Sequence, residues 1–214
     1  MSLEDELREE LCWAGKILAR EGLVLGREGN ISARIVGTDR IIIKPSKFAM
    51  NELSPGDLIV VDLDGKLVEG DHKPSKETPM HTSIYKHRAD VKAVFHTHPI
   101  YSTCLGIIGK PIVPLSFAGF RAVVKGIPVV PYHHPGSIEL ANAIVKTLGE
   151  DRLAVLLKYH GLVVVGENVK AALGLSIAVE KAAKVQLLCS LLGKPKPIPR
   201  KLIKEFLERL AEEG

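Results

Sequence analysis

Residues 91–99 read VKAVFHTHP, a short apolar run that ends in two histidines and stops at Pro99. In a β-strand, side chains two positions apart lie on the same face, so His96 and His98 would point the same way while Thr97 turns back. Two imidazoles on one face suit the binding of a metal ion. The triplet equally suits two surface histidines at the end of a strand, so the rest of the chain must decide.

The composition is that of an ordinary globular protein. Of the 214 residues 46% are hydrophobic, and no apolar run approaches the roughly 20 residues that a membrane span needs. The first eight residues are rich in acidic side chains and lack the pattern of a signal peptide, and three scattered cysteines are too few for a disulfide framework. We therefore expect a single domain, 1–214, that works in a reducing cytoplasm without a membrane partner.

Charge and residue usage add two expectations. A net charge of +4, without a Lys/Arg block and with only 5% aromatic residues, gives little support for a nucleic-acid partner. A small anionic substrate accounts for local lysines equally well. The single glutamine, Gln186, and four asparagines among many Lys, Glu, Ile and Val are the bias described for thermophile proteins.

Apolar spacing predicts an N-terminal helix followed by a sheet with antiparallel pairs. Leucines recur at helical spacing from Leu3 to Leu18, and Ser2 with Asp5 is predicted to cap the first turn. Four β-rich segments follow, and Asp64-Gly65 predicts a two-residue hairpin turn before the last of them. These segments are 30–36, 40–44, 58–62 and 66–68.

The second half of the chain predicts alternating helices and strands. Thr78-Pro79 reads as a helix start, with a capping hydroxyl and a proline at the first helical position. This helix would run to residue 87 and lead into the histidine strand. Further helices are predicted at 137–148, 169–192 and 201–212, and strands at 127–131, 153–159 and 162–165. Residues 193–200, with three prolines, predict a semi-rigid connector to the last helix.

A catalytic zinc site needs about three protein ligands and an open position, so two histidines are not enough. His160 is the best-placed third ligand. It lies with Gly161 between two apolar strands, where a tight hairpin would project its ring from the end of the sheet. Considered alone, His160 reads equally well as an exposed turn residue.

The remaining histidines are expected to have other places. A loop and a helix surface are predicted for His72, His81 and His87. His133 and His134 are adjacent on an extended segment, where neighbouring side chains face opposite ways, so we expect at most one of them to point into a cleft.

Glu77 and three short turns are the other candidate site residues. A carboxylate just before a helix suits a fourth metal ligand or a catalytic base, but it equally complements the helix dipole. The segments 29–32 (GNIS), 44–47 (KPSK) and 75–76 (SK) each offer backbone N–H groups, hydroxyls or ammonium groups, which a phosphate dianion requires. Each segment alone also reads as an ordinary turn.

Taken in this order, the motifs resemble the class II aldolase/adducin family over roughly residues 5–190. They are a helix, Gly-Asn-Ile-Ser, Lys-Pro-Ser, Pro-Ser-x-Glu, His-x-His-Pro, and Tyr-His-Gly before a second apolar strand. Each motif is weak by itself, and a chance coincidence of all six is improbable.

The resemblance implies an α/β fold, a three-layer α/β/α sandwich with a mainly antiparallel central sheet. It also implies a homotetramer with active sites between subunits, and a zinc ion, with another divalent ion as the alternative. The implied metal ligands are His96, His98 and His160, with Glu77 on or near the metal and acting as the catalytic acid/base. The implied ligands of the substrate phosphate are Gly29, Asn30, Ser46, Lys47, Ser75 and Lys76.

The implied activity is reversible cleavage of a ketose 1-phosphate, such as L-fuculose 1-phosphate, to dihydroxyacetone phosphate and a small aldehyde. Epimerisation of a pentulose 5-phosphate and dehydration of a sugar phosphate are the alternatives within the same family. A non-catalytic, adducin-like interaction domain is a further alternative, against which the presence of the three histidines and Glu77 argues.

Two departures from the family pattern bear on the substrate. In the aldolase branch a tyrosine of the adjacent subunit protonates the aldehyde end, whereas segment 114–120 here reads PLSFAGF, with Phe117 and no tyrosine. Either another donor serves, or the aldehyde specificity or the reaction differs. The alternative donors are Tyr101, Tyr132 and His133. Lys47 and Lys76 stand where small neutral residues are frequent in the family. Lys44 resembles the epimerase branch of the family, whereas Glu77 resembles the aldolase branch.

Overall fold

A central sheet of eight strands organises the part of the chain that the computed structural model describes, residues 2–117 and 123–212. The strands lie in the order β4-β3-β2-β1-β5-β8-β7-β6, and every neighbouring pair is antiparallel except β6 with β7. Their bounds are β1 Asn30–Ile35, β2 Arg40–Ile43, β3 Ile59–Asp62, β4 Leu67–Glu69, β5 Ala93–Thr97, β6 Val129–Val130, β7 Ala154–Leu157 and β8 Leu162–Gly166. The mainly antiparallel sheet is confirmed.

Helices cover both faces of this sheet. Within the described residues they are α1 Leu3–Arg20, α2 Thr78–His87, α3 Ile100–Ile107, α4 Ile138–Leu148, α5 Val169–Leu192 and α6 Arg200–Glu212. The buried side chains of α1, α3 and α5 join one apolar cluster, and those of α2 and α4 join another. The sheet lies between the two clusters, which confirms the three-layer α/β/α sandwich.

Alternation along the strands sets which side chains reach each layer. In β5, Phe95 packs with the α1, α3 and α5 layer, whereas Val94 packs with the α2 and α4 layer. β8 alternates in the same way, with Val164 in the first cluster and Val163 in the second. Because the side-chain period of a strand is two, His96 belongs to the face that α2 and α4 cover.

The start of α1 confirms the predicted cap. The Ser2 hydroxyl accepts a hydrogen bond from the Asp5 backbone N–H at 3.1 Å, and the Ser2 backbone N–H donates to the Asp5 carboxylate at 2.9 Å. This reciprocal pair is a capping box. The lowered pKa of Asp5 follows mainly from its hydrogen bond with the Ser2 backbone.

Helix α3 was absent from the sequence prediction. Pro99 follows β5 and occupies the N-cap position of α3, where its side chain cannot accept a capping hydrogen bond. The Glu180 carboxylate of α5 instead accepts hydrogen bonds from the backbone N–H groups of Tyr101 and Ser102, at 2.8 and 2.9 Å. The cap therefore comes from Glu180, almost 80 positions along the chain, and no local motif predicts the helix.

The C-terminal segment packs back on its own chain. The connector ends in α6, as predicted, and the Ile198 backbone N–H donates to the Pro114 carbonyl at 2.8 Å. The rings of Phe117 and Phe206 lie 4.6 Å apart between centroids, which brings α6 against the segment around residue 114. In segment 114–120, where the family tyrosine is expected, residues 118–120 lie outside the described residues. No helix in the described ranges is long and apolar enough to cross a membrane.

Candidate metal centre

Three histidines meet at one edge of the sheet. His96 lies in β5, His98 follows the end of that strand, and His160 lies in the turn between β7 and β8. The His96 Nε2 atom is 3.0 Å from Nε2 of His98 and 3.2 Å from Nε2 of His160. The structure therefore brings together the three histidines that the sequence singled out.

The far ring nitrogens of His96 and His98 have polar partners, whereas Nδ1 of His160 has no hydrogen bond within the described residues. The Nδ1–H group of His96 donates to the Leu162 carbonyl at 3.0 Å, and Nδ1 of His98 lies 3.3 Å from the Glu28 carboxylate. When Nδ1 carries the proton of a neutral imidazole, Nε2 presents its lone pair. Burial lowers the pKa of His96 to about 3 and also lowers that of His160, so both rings are neutral near pH 7.

This arrangement fits a divalent cation. Neutral nitrogens that face one another with lone pairs repel, and a cation between them relieves that repulsion by coordination. Nitrogen ligands about 2.0–2.1 Å from a tetrahedral zinc ion lie roughly 3.3–3.4 Å from each other. The observed separations of 3.0 and 3.2 Å are close to that spacing.

Glu77 faces the same point from α2. It occupies the N-cap position of that helix, yet its side chain makes no capping hydrogen bond. Its Oε2 atom accepts a hydrogen bond from the Asn30 amide at 2.8 Å and lies 3.3 Å from Nε2 of His96. Its Oε1 atom lies 3.4 Å from Nε2 of His160 and has no hydrogen bond within the described chain. The carboxylate thus belongs to the histidine cluster rather than to the helix end.

The charge state of Glu77 follows from these neighbours. Burial by itself raises the pKa of the Glu77 carboxyl, but His96, His160 and the hydrogen bond from Asn30 together outweigh burial. The net pKa lies below the ordinary value. Glu77 is therefore an anion at neutral pH, with one oxygen anchored by Asn30.

The three candidate phosphate turns lie at the sheet edge where the histidines meet. Asn30 begins β1 directly opposite His96 in β5, and β2 ends beside the start of β1. The Ser46 backbone N–H donates to the Lys73 carbonyl at 2.9 Å, which joins the 44–47 turn to the segment that carries Ser75 and Lys76. Lys47, with a positive φ of 73°, and Lys76 are both exposed.

Two glycines permit the close packing around His96. Gly29 has a φ of +68°, and a Cβ atom there would lie 2.6 Å from the His96 carbonyl oxygen. A Cβ atom on Gly161 would collide with the Thr97 carbonyl and lie 2.8 Å from Cδ2 of His98. Glycine at 161 is therefore a condition for the close approach of the His160 turn to the His96 strand.

His81 corrects a sequence prediction. It was expected on the surface of α2, but it is fully buried. Its Nε2 atom hydrogen-bonds the Asn30 carbonyl oxygen, and its Nδ1 atom lies 2.6 Å from the Ser32 hydroxyl. The prediction failed because α2 buries several polar residues, so polarity did not mark its outer face. Of the other histidines, His87 and His134 are exposed, as predicted for His87, and His72 and His133 are half-buried.

Lys44 begins the 44–47 turn, one of the candidate phosphate turns predicted from the sequence. Its ammonium group is buried and donates to the carbonyls of Arg27 at 3.3 Å and Gly29 at 3.1 Å. Burial lowers the pKa of Lys44 to about 8, against the opposing effect of Glu77. The available signal was a lysine directly after three isoleucines of a buried strand.

The candidate proton donors for the aldehyde end do not all lie in the same part of the structure. The ring of Tyr132 lies 6.2 Å from that of Tyr159, the residue before His160, and Tyr132 is 56% exposed. The ring of Tyr101 lies instead beside the Lys184 ammonium of α5, at 5.3 Å. Tyr132 is therefore the tyrosine among these that the structure brings to the His160 turn.

Comparison with known proteins adds four likenesses. Residues 9–187 match the family model described as Class II Aldolase and Adducin N-terminal domain. The 5-deoxy-D-ribulose 1-phosphate aldolase of Bacillus thuringiensis serovar kurstaki is 33% identical over 216 residues, which cover 99% of this chain and 96% of that protein. The 3-oxo-tetronate 4-phosphate decarboxylase of Cupriavidus necator is 35% identical over 189 residues, covering 86% and 85%. A solved structure of L-fuculose 1-phosphate aldolase superposes with a TM-score of 0.89 at 31% identity, covering 99% of this chain and 98% of that one.

Proposed function

Because the chain belongs to the class II aldolase and adducin family, we propose that it is a metal-dependent aldolase that reversibly cleaves a ketose 1-phosphate. The products would be dihydroxyacetone phosphate and a small aldehyde. One observation carries this proposal: three histidine side chains and an anionic glutamate converge at the strand ends that also hold three turns suited to a phosphate. The two aldolases above, named for ketose 1-phosphates, support the substrate class.

The proposed metal is zinc, with another divalent ion as the alternative, because imidazole and carboxylate ligands suit several such ions. Its proposed ligands are His96, His98 and His160, with Glu77 on or near the ion. When bound, a divalent cation supplies a Lewis acid that stabilises the negative charge left beside a ketone when the carbon–carbon bond breaks.

Glu77 is the proposed acid/base. Cleavage of a ketose 1-phosphate between C3 and C4 requires that the C4 hydroxyl lose its proton, and C3 must gain one before dihydroxyacetone phosphate leaves. Oε1 of Glu77 has no hydrogen bond within residues 2–117 and 123–212, so it is free to accept that proton while Asn30 anchors Oε2. The same carboxyl can return the proton to C3, which balances the reaction.

The substrate phosphate is proposed to lie on Gly29, Asn30, Ser46, Lys47, Ser75 and Lys76. Exposed ammonium groups at Lys47 and Lys76 supply charge, and the Ser75 hydroxyl accepts from the Glu77 backbone N–H at 3.2 Å, which leaves its own proton free to donate. The buried Lys44 ammonium behind Gly29 adds positive charge to the same place.

We further propose a cytoplasmic homotetramer with active sites at subunit interfaces. Leu191 and Leu192 at the end of α5 are 81% and 91% exposed, and large apolar side chains in such places suit a contact with a second subunit. In such an assembly a second subunit would also supply groups that contact the aldehyde end of the substrate.

Decarboxylation of a 3-oxo sugar acid phosphate is the second candidate function. The Cupriavidus necator decarboxylase is as similar to this chain as the aldolases are. Loss of carbon dioxide from a 3-oxo acid also leaves negative charge beside a ketone, so the same cluster would serve.

A substrate panel separates these functions. The zinc-loaded protein would be offered L-fuculose 1-phosphate, 5-deoxy-D-ribulose 1-phosphate, a pentulose 5-phosphate and 3-oxo-tetronate 4-phosphate, with products identified by mass and chiral analysis. We expect release of dihydroxyacetone phosphate from a ketose 1-phosphate. Release of carbon dioxide alone would favour the decarboxylase, and an epimerised or dehydrated product would favour the epimerase or the dehydratase. A protein that takes up no zinc and is inactive would favour the adducin-like interaction domain.

A further inference from the structure

A line of buried hydrogen bonds leads away from Glu77, between β1 and α2. We name it the β1–α2 relay, and its members in spatial order are Glu77, Asn30, His81, Ser32 and Tyr85. Asn30 donates to Glu77 at 2.8 Å and contacts His81, Ser32 lies 2.6 Å from His81, and the Tyr85 hydroxyl lies 2.9 Å from that of Ser32. Asn30, His81, Ser32 and Tyr85 are each at most 3% exposed.

The relay forms because alternate residues of a strand and residues four apart on a helix have nearly the same spacing. Alternate residues of a strand are about 6.6 Å apart, since each residue rises about 3.3 Å. Residues four apart on a helix are about 6 Å apart along its axis, since each residue rises about 1.5 Å. Successive same-face positions of β1 (30, 32 and 34) therefore meet successive positions of α2 (77, 81 and 85).

Arg34 and Tyr85 form the third contact between β1 and α2, at the far end of the relay from Glu77. The Arg34 guanidinium donates to the Tyr85 carbonyl and to the Val91 carbonyl, the latter at 3.2 Å, and lies 5.0 Å from the centroid of the Tyr85 ring. Burial raises the pKa of Tyr85, so its hydroxyl keeps its proton and can donate. The line of hydrogen bonds thus has a carboxylate at one end and a phenol at the other.

The carboxylate end fixes the direction of every hydrogen bond along the relay. An anionic carboxylate only accepts, so Asn30 must turn its NH₂ group toward Glu77 and its carbonyl oxygen toward His81. Nε2 of His81 must then carry a proton. Burial lowers the pKa of His81 to about 4, so the ring is neutral and Nδ1 accepts from Ser32. Having used its proton, Ser32 accepts from Tyr85.

We propose that His81 is a positioning residue, whose Nε2–H group holds the Asn30 amide in the orientation that donates to Glu77. Without that donor the amide can rotate and turn its carbonyl oxygen toward the carboxylate, which repels Glu77 from the place where its second oxygen faces the substrate. Outer partners that orient the groups of a metal site typically affect its affinity or activity by about 10–100-fold. The proposal deepens the proposed function and rests on it only for the activity readout.

The first test is the protonation state of His81, read by ¹⁵N NMR of the metal-free protein with labelled histidine. The His81 signals are those absent from His81→Gln. We expect a one-bond proton coupling at Nε2 and none at Nδ1. A proton on Nδ1, or a doubly protonated ring at pH 7, would overturn the proposal whether or not the protein is an aldolase.

The second test is a matched set of variants on α2. His81→Phe keeps a planar ring but loses the donor, and we expect kcat to fall about 10–100-fold. His81→Gln places an amide N–H near the position of Nε2, and we expect kcat within about threefold of the wild type. His87→Gln, an exposed histidine of the same helix, is the control and should leave kcat unchanged.

Thermal midpoints and zinc content accompany these rates, because His81 is not among the proposed ligands. Equal losses in His81→Phe and His81→Gln, at unchanged fold and zinc content, would contradict a role for the donor, as would full activity of His81→Phe. A wild-type protein that cleaves no sugar phosphate would instead refute the proposed function, and the NMR result would still decide the role of His81.

Discussion

The metal end of the candidate site and its aldehyde end are built in different ways. The metal end consists of strand ends and one tight turn of a buried sheet. There the Nε2 atom of His96 lies 3.0–3.3 Å from His98, His160 and Glu77. The aldehyde end consists of loop residues such as the exposed Tyr132, and of segment 114–120, only part of which is described. The candidate metal ligands are therefore positioned by the sheet, whereas the candidate groups for the aldehyde end lie in loops.

The largest expected effect is at the centre of the metal end. Glu77→Gln keeps the shape of the side chain but removes the base, so we expect kcat to fall by roughly 10²–10⁴ while the sugar phosphate still binds. Steady-state kinetics and calorimetric titration with substrate measure the two quantities. Full activity of this variant would remove Glu77 from the mechanism.

Gly161→Ala tests whether backbone packing assembles the metal end. The new Cβ atom would collide with the Thr97 carbonyl and press on the His98 ring, so we expect zinc affinity to fall by about 10–100-fold, with a lower thermal midpoint. Gly174→Ala is the matched control, since nothing lies within 4 Å of a Cβ atom at that helical position. Wild-type zinc affinity in Gly161→Ala would show that the close approach of the turn is not required.

Tyr132→Phe tests the aldehyde end. If Tyr132 protonates the leaving aldehyde end, removal of its hydroxyl should lower kcat by about tenfold, below the usual range of roughly 10²–10⁴, because water can reach this exposed ring. Phe117→Tyr is the companion variant, and we expect it to change kcat by less than about twofold, because the ring at 117 packs on Phe206. The reverse pattern would move the donor role to position 117.

The smallest expected effect concerns stability, through Lys44. Its pKa is about 8 in the folded protein and near 10.5 when unfolded, so between these values the unfolded chain binds more protons and stability rises with pH. Chemical unfolding of the wild type and Lys44→Met between pH 7 and pH 10 measures the difference. We expect the stability of the wild type relative to the variant to increase with pH, and a flat difference would contradict a buried, charged lysine.

Periodicity and local motifs predicted much of the fold. The Ser2–Asp5 capping box, the α5 helix and the strand that carries His96 all have signals within a few residues of themselves. Helix α3 does not, because its cap is Glu180 of a distant helix. Long-range contacts of this kind leave no mark on nearby sequence.

The same distinction holds for the candidate site. His96 and His98 were visible as a pair, and His160 was visible as a histidine beside a hairpin glycine. The burial of His81 was not visible, since it depends on the match between the strand repeat of β1 and the helical repeat of α2 across almost 50 residues of chain. The role of Asn30 as an anchor of Glu77 depends on the same contact.

Metal content per chain tests the central claim most directly. After purification in the presence of zinc and removal of free metal, we expect about one zinc ion per wild-type chain. The Nε2 atom of His96 lies 3.0 and 3.2 Å from those of His98 and His160, and three such histidines supply the ligand number of a catalytic zinc site. His96→Ala should lose most of this zinc while remaining folded by circular dichroism. Undiminished stoichiometric zinc in His96→Ala, or none in the wild type, would contradict the claim that these histidines form a metal centre.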